Sequence, residues 1–178
     1  YDRVRPLVEL LDIHLALRAI VEGDVDAEIY VDDIRAPHVA FTRTQHRFYL
    51  VGTPDNATFN AALRDHLLHD VYPEALAADD IMFTLYYAPE AWGTTAPDVL
   101  RGKDPIPDTR HYYEFQGRDR AWRHLLPEGF TVRPVDADLL NASSLANLDA
   151  LREELCSERP SVEAILEKSF GVCVQHED

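Results

Sequence analysis

The chain has 178 residues, with 17 Lys and Arg against 32 Asp and Glu, a formal charge of −15. At 46% hydrophobic and 28% charged it reads as a folded chain of one domain plus a fraction, which excludes general disorder. So acidic a chain argues against broad nucleic-acid or anionic-membrane binding, and two cysteines, Cys156 and Cys173, exclude a disulfide framework and a thiolate zinc site.

Residues 4 to 22 carry Leu7, Leu10, Leu11, His14, Leu15 and Ile20 near helical spacing, and Gly23 follows as a stop. Three strand-like runs come next: Ala27 to Val31, His38 to Thr44 and Arg47 to Gly52. Gln45 and His46 separate the last two as a tight hairpin turn. Thr53-Pro54-Asp55-Asn56 breaks the pattern, and Asn56 can cap a helix running to Val71 with Phe59, Leu63, Leu67 and Leu68 inward. Ile81 to Ala88 is a dense apolar run and reads as a buried central strand. A helix over Pro89 to Arg101, a loop over Lys103 to Asp108 and a strand over Thr109 to Phe115 complete this region.

After a polar stretch and the Pro127-Glu128-Gly129 turn, Phe130 to Val135 reads as a strand and Asp138 to Glu154 as a helix. Ser161 can cap a short helix from Val162 to about Lys168, and Phe170 to Gln175 is a last strand. His176-Glu177-Asp178 is a turn signal with no strand after it. The expectation is a chain that stops part-way through a second unit, its last strand lacking a mate. The alternative is that this strand joins the N-terminal sheet. The fold class expected is α/β, a mixed and mainly antiparallel sheet flanked by helices.

The strand-helix-helix-strand order of residues 130 to 178 resembles the opening of the GNAT fold, the GCN5-related N-acetyltransferases. Ser161 to Gln175 (SVEAILEKSFGVCVQ) is similar to a segment of one bacterial subgroup, and Gly129 to Asp136 (GFTVRPVD) to its first core strand. Glu28 to Asp33, Pro37 to Ala40, Phe48 to Gly52, Asn56, Phe59 and Asn60 continue the likeness upstream. The order strand, strand, strand, helix, strand, helix, strand from residue 27 resembles the second to sixth strands of a GNAT core. The resemblance implies a degenerate GNAT-like domain over 1–126 and the first part of a catalytic one over 127–178. It also implies acetyl transfer from acetyl-CoA, the co-substrate, to a small-molecule or protein amine. The acidic charge leads to no nucleic-acid or membrane partner and the two cysteines to a cytoplasmic location; no metal is expected, and a homodimer is compatible with this reading. In a GNAT the coenzyme's phosphates lie on backbone N–H groups at a Gly-rich turn opening a helix. Gly52 and Asn56 stand at the matching turn and are the candidate coenzyme residues. Pro54 lacks an N–H and Asp55 adds negative charge there, so a structural turn is the plainer reading. The family's own coenzyme turn would fall after Asp178, which makes this portion inactive by expectation. The other reading is a non-enzymatic interaction or regulatory domain with an acidic surface.

Other residues carry chemistry by type. Tyr86, and one of Tyr112 or Tyr113, would share a sheet face, so Tyr86, Tyr112 and Glu114 are candidate acid–base groups. Aromatic cross-strand pairing explains them as well. His66 and His69 at i, i+3 could offer two imidazoles to a metal, yet no third ligand is nominated and solvated helix residues explain them. Asp32 and Asp33 read as turn caps, Cys173 as a small buried hydrophobe, and Trp92 and Trp122 as core or domain-contact residues.

Overall fold

The computed structural model describes residues 1–44, 47–79, 83–114, 116–117, 121–142, 145–156 and 161–176, with 154 and 156 described by backbone alone. Two compact units are present, Tyr1–Arg110 and His111–Asp178. Among the described residues no helix is long and apolar enough to cross a membrane.

The first unit opens with α1 (Arg5–Val8), a 3-10 turn (Glu9–Leu11) and α2 (Leu15–Glu22). The single helix expected over 4–22 is therefore broken. His14 is extended (φ −87°, ψ 94°), and the break resets the helical phase. Val4 and Val8 before it and Leu17, Ile20 and Val21 after it are all buried, while Leu10, Ile13 and Leu15 are left outside. Burying both apolar faces outweighs helix continuity, because short helices owe most of their stability to packing. Gly23 ends α2 at φ 83°, where its N–H and that of Asp24 bond to the carbonyls of Ile20 and Ala19.

The sheet runs in the order β1 (Glu28–Val31), β2 (Val39–Thr44), β3 (Arg47–Gly52), β4 (Thr84–Ala88). The first three strands are antiparallel, and β4 lies parallel to β3 with Arg47 opposite Thr84 and Val51 opposite Ala88. Parallel neighbours need a crossover. Here it consists of α3 (Ala57–His66), a π-helical turn (Leu67–Val71) and α4 (Tyr72–Ala77). The turn expected at 45–46 lies outside the described residues, as do positions 81 and 82 of the expected central strand. The rest of that strand corrects the expectation: β4 is half-buried at one end of the strand order, with Tyr87 38% exposed. The fully buried strands are β2 and β3, because each has a strand on both sides and a helical layer on both faces. One face packs Phe41, Phe48, Leu50, Phe59, Leu63 and Trp92; the other packs Val8, Leu17, Ile20, Tyr49 and Val51. Helix α5 (Trp92–Val99) follows β4. Residues 109–114 form no strand, which corrects the expectation for Thr109 to Phe115; position 115 itself is outside the described residues.

In the second unit a 3-10 turn (Trp122–Leu125) precedes β5 (Phe130–Pro134), α6 (Ala137–Asn141), α7 (Leu148–Cys156), α8 (Val162–Lys168) and β6 (Val172–His176). The helix expected over 138–154 is thus two helices. Asp136 caps α6 through the Leu139 N–H at 2.8 Å, and Ser161 caps α8 through the Ala164 N–H at 3.3 Å. Among the described residues its buried side chains are Leu139, Leu140, Leu148 and Ile165. Strand β6 pairs antiparallel with β5, Val174 opposite Val132. The closing strand therefore has a mate within the chain, which overturns the expectation that it lacked one and also the alternative that it joins the N-terminal sheet. Among the described residues three helices separate the two strands in sequence, and Arg133 stands opposite Cys173 in their register, both half-buried.

Candidate functional site at the carboxyl ends of the parallel strands

In open α/β sheets ligands bind outside the carboxyl ends of parallel strands, beside the helix that begins there. In this chain that place is the end of β3, the Gly52–Asn56 turn, the start of α3 and the end of β4. Gly52 has φ 102°, and a Cβ on it would sit 2.1 Å from the His38 carbonyl oxygen. The Thr53 N–H donates to that same oxygen at 2.9 Å. The glycine is thus required by the close approach of two backbone segments.

Asn56 is committed on both sides. Its Oδ1 accepts the Phe59 N–H at 3.0 Å as the cap of α3, and its Nδ2–H donates to Asp32 Oδ2 at 3.1 Å. Asn60 Nδ2–H donates to the Pro54 carbonyl at 2.7 Å, which clips the turn to the first helical turn. Asp32 is the hub. Its Oδ1 accepts the N–H groups of His38 and Val39 at 2.9 and 3.3 Å, and its side chain is 11% exposed. Burial by itself would raise its carboxyl, but the His38 and Val39 N–H groups and the Asn56 amide outweigh that and hold it below 3.8. A carboxylate therefore already stands where the helix N-terminus would attract an anion. Asp33 caps its own turn, accepting the Arg35 and Ala36 N–H groups.

Trp92, the first residue of α5, is fully buried, and its Nε1–H donates to the Gly52 carbonyl at 2.9 Å. The indole fills the space between the turn and the start of α5. The buried indole and the Asp32 carboxylate on either side of the turn make an arrangement suited to holding β3, α3 and α5 together.

A second group gathers on the opposite sheet face. The Tyr86 ring lies 4.3 Å from the His14 ring and 5.4 Å from that of Tyr49, with the Arg110 guanidinium 5.3 Å from its centre. Burial, and then the Arg110 charge, lower the His14 imidazole from its ordinary 6.5. Tyr112 and Glu114 do not join Tyr86 by strand pairing, since neither is on a strand. Tyr112 is 49% exposed, and Glu114 Oε2 accepts from Gln116 Nε2 at 2.7 Å. His66 and His69 are engaged separately: His66 Nδ1–H donates to Asp70 at 2.8 Å, and His69 Nδ1–H to the Asp65 carbonyl at 2.9 Å. Among the described residues no three His, Cys, Asp or Glu side chains are grouped to hold a metal. Cys173 is partly buried on β6, and the Cys156 side chain lies outside the described residues.

Sequence reasoning missed the roles of Asp32 and His14. Asp32 read as a local cap because its partner Asn56 is 24 residues away. His14 read as one more helical position, and no local signal marked it as the break.

No protein-family model matches this chain, and no curated protein does. Among solved structures it is similar to a GCN5-related N-acetyltransferase-like protein from Streptococcus suis, at 20% identity and a TM-score of 0.45. The match covers 88% of this chain and 58% of that one.

Proposed function

We propose that this chain is part of a GNAT-type N-acetyltransferase, in which the complete protein moves an acetyl group from acetyl-CoA to an amine. Residues 1–126 are then a GNAT-like domain without coenzyme, and 127–178 the first part of a catalytic one. One observation carries this reading: the crossover from β3 through Gly52–Asn56 and α3 to the parallel β4, the arrangement that the sequence resemblance implies. The same turn supports the loss of coenzyme binding. A pyrophosphate there would meet the Asp32 carboxylate, a turn with Pro54 in place of a donor, and the Trp92 indole. The chemistry needs a neutral amine, a hydrogen bond to the thioester carbonyl and a proton donor to the leaving thiolate. The formal charge of −15 suits a cationic acceptor amine at the encounter stage.

The test has two arms. This chain, heated with about 1 mM acetyl-CoA, shifts its melting temperature by less than about 1 °C; a shift of several degrees overturns the loss of coenzyme binding. The complete gene product, given acetyl-CoA and a panel of polyamines and basic peptides, releases free coenzyme A thiol. A complete product that neither binds acetyl-CoA nor releases thiol overturns the acetyltransferase reading.

A further inference from the structure

Strand β1 is the first in the strand order, and among the described residues it pairs with β2 alone. The Asp32 N–H donates to the Val39 carbonyl at 3.4 Å, which continues the β1–β2 register by one pair. Antiparallel ladders alternate, so Glu28 and Tyr30 turn their backbone groups to β2, while Ile29 and Val31 turn theirs outward. Beside these two residues lies a groove of about 440 Å³, lined also by Tyr1, Val4, Ile34 and Pro37. We propose that this edge takes an extended peptide of alternating basic and apolar residues, which adds to β1 as a further strand of the sheet. Main-chain hydrogen bonds to Ile29 and Val31 hold such a strand, and its side chains select it.

Two faces choose the chemistry of the peptide, because side chains of an added strand alternate between them. On one face its neighbours are Ile29 and Val31, which pack against the apolar cluster built with α1 and α2. The groove extends that surface, and its polar members are Asp2 and Arg3. The Arg3 guanidinium donates to the Ile34 carbonyl at 2.9 Å, and the Asp2 side chain is fully exposed. That face suits apolar side chains. On the other face the neighbours are Asp26 and Glu28, exposed at alternate positions. Glu28 accepts the Tyr30 hydroxyl at 3.3 Å and stands 3.7 Å from Arg43, which reaches Glu74 more closely, at 2.8 Å. A basic side chain beside Glu28 makes an opposite-charge cross-strand pair. The formal charge of −15 draws the same kind of partner from solution. This binding needs no acetyl-CoA, so its failure leaves the acetyltransferase reading standing.

The experiment is NMR on the isotope-labelled full chain with a capped hexapeptide of alternating Lys and Val. The Ile29 and Val31 amides are expected to shift saturably and to gain protection from exchange. The Glu–Val counterpart is expected to bind about tenfold more weakly, and added salt to weaken the Lys–Val peptide. The Lys–Val peptide N-methylated at every residue is expected not to bind, since it has no N–H to offer the Ile29 and Val31 carbonyls. Ile29→Pro removes an outward N–H and leaves the β2 ladder its bonds, and it is expected to weaken binding too. Should Ile29→Pro not fold, the N-methylated peptide decides with the parent chain. Amides of β1 that do not move, an equal affinity for the Glu–Val peptide, or indifference to N-methylation overturns the proposal. So does a shift of the same amides with protein concentration alone, which gives the edge to a second copy of the chain.

Discussion

Gly52 shows how closely the surrounding backbone can fix one position. Its carbonyl accepts from Trp92, its neighbour's N–H donates to His38, and its Cα faces the His38 carbonyl with no room for a methyl group. Gly52→Ala combines a positive φ with a backbone clash and is expected to destabilise the chain by more than about 2 kcal/mol, read by urea unfolding. Trp92→Ala leaves a cavity and an unpaired carbonyl, and about 3–5 kcal/mol is the expected loss in the same assay. Asp32 gives a pH signature. Its carboxyl lies below 3.8 in the folded chain, so its contribution is complete above 3.8 and disappears as pH falls through the lower folded value. Asp32→Asn should therefore lower the melting temperature at pH 7, and the gap from the parent should narrow below about pH 3.8. A gap independent of pH would mean that the hydrogen bonds, and not the charge, carry the effect.

Among the elements, the crossover from β3 to β4 depends on a local signal and a distant one. Asn56 was legible as the cap of α3, since its side chain serves a residue three positions on. Asn56→Ala is expected to cost about 1 kcal/mol from the cap, with a further loss because the Asn56–Asp32 bond goes too; double-mutant analysis with Asp32→Asn measures that coupling. The end of the crossover was not legible. The helix expected to end near Val71 changes to a π-helical turn at Leu67 and is followed directly by α4, where the Arg43 guanidinium reaches Glu74 at 2.8 Å as well as Glu28 at 3.7 Å. That clamp joins a strand and a helix 31 positions apart, and periodicity within a window cannot register it. The same holds for β4. Its apolar composition suggested a central strand, yet composition reports how apolar a strand is and says nothing of how many neighbours it has.

On the scale of the whole molecule, each unit carries its own buried side chains: two clusters on either side of the sheet in residues 1–110, and Leu139, Leu140, Leu148 and Ile165 in the other. Strands β1 to β3, the α3 cap, the Ser161 cap and the mixed sheet were all readable from the sequence, because hydrophobic period and capping chemistry act over a few residues. The mate of β6, the break at His14, the place of β4 at the end of the strand order and the company kept by Tyr86 were not. Each is settled by contacts between residues tens of positions apart, where burial of apolar area and the pairing of buried polar groups outweigh local preference. Tyr86 illustrates the division: alternation put it on a defined sheet face, but only the folded chain brought His14, Tyr49 and Arg110 to its ring.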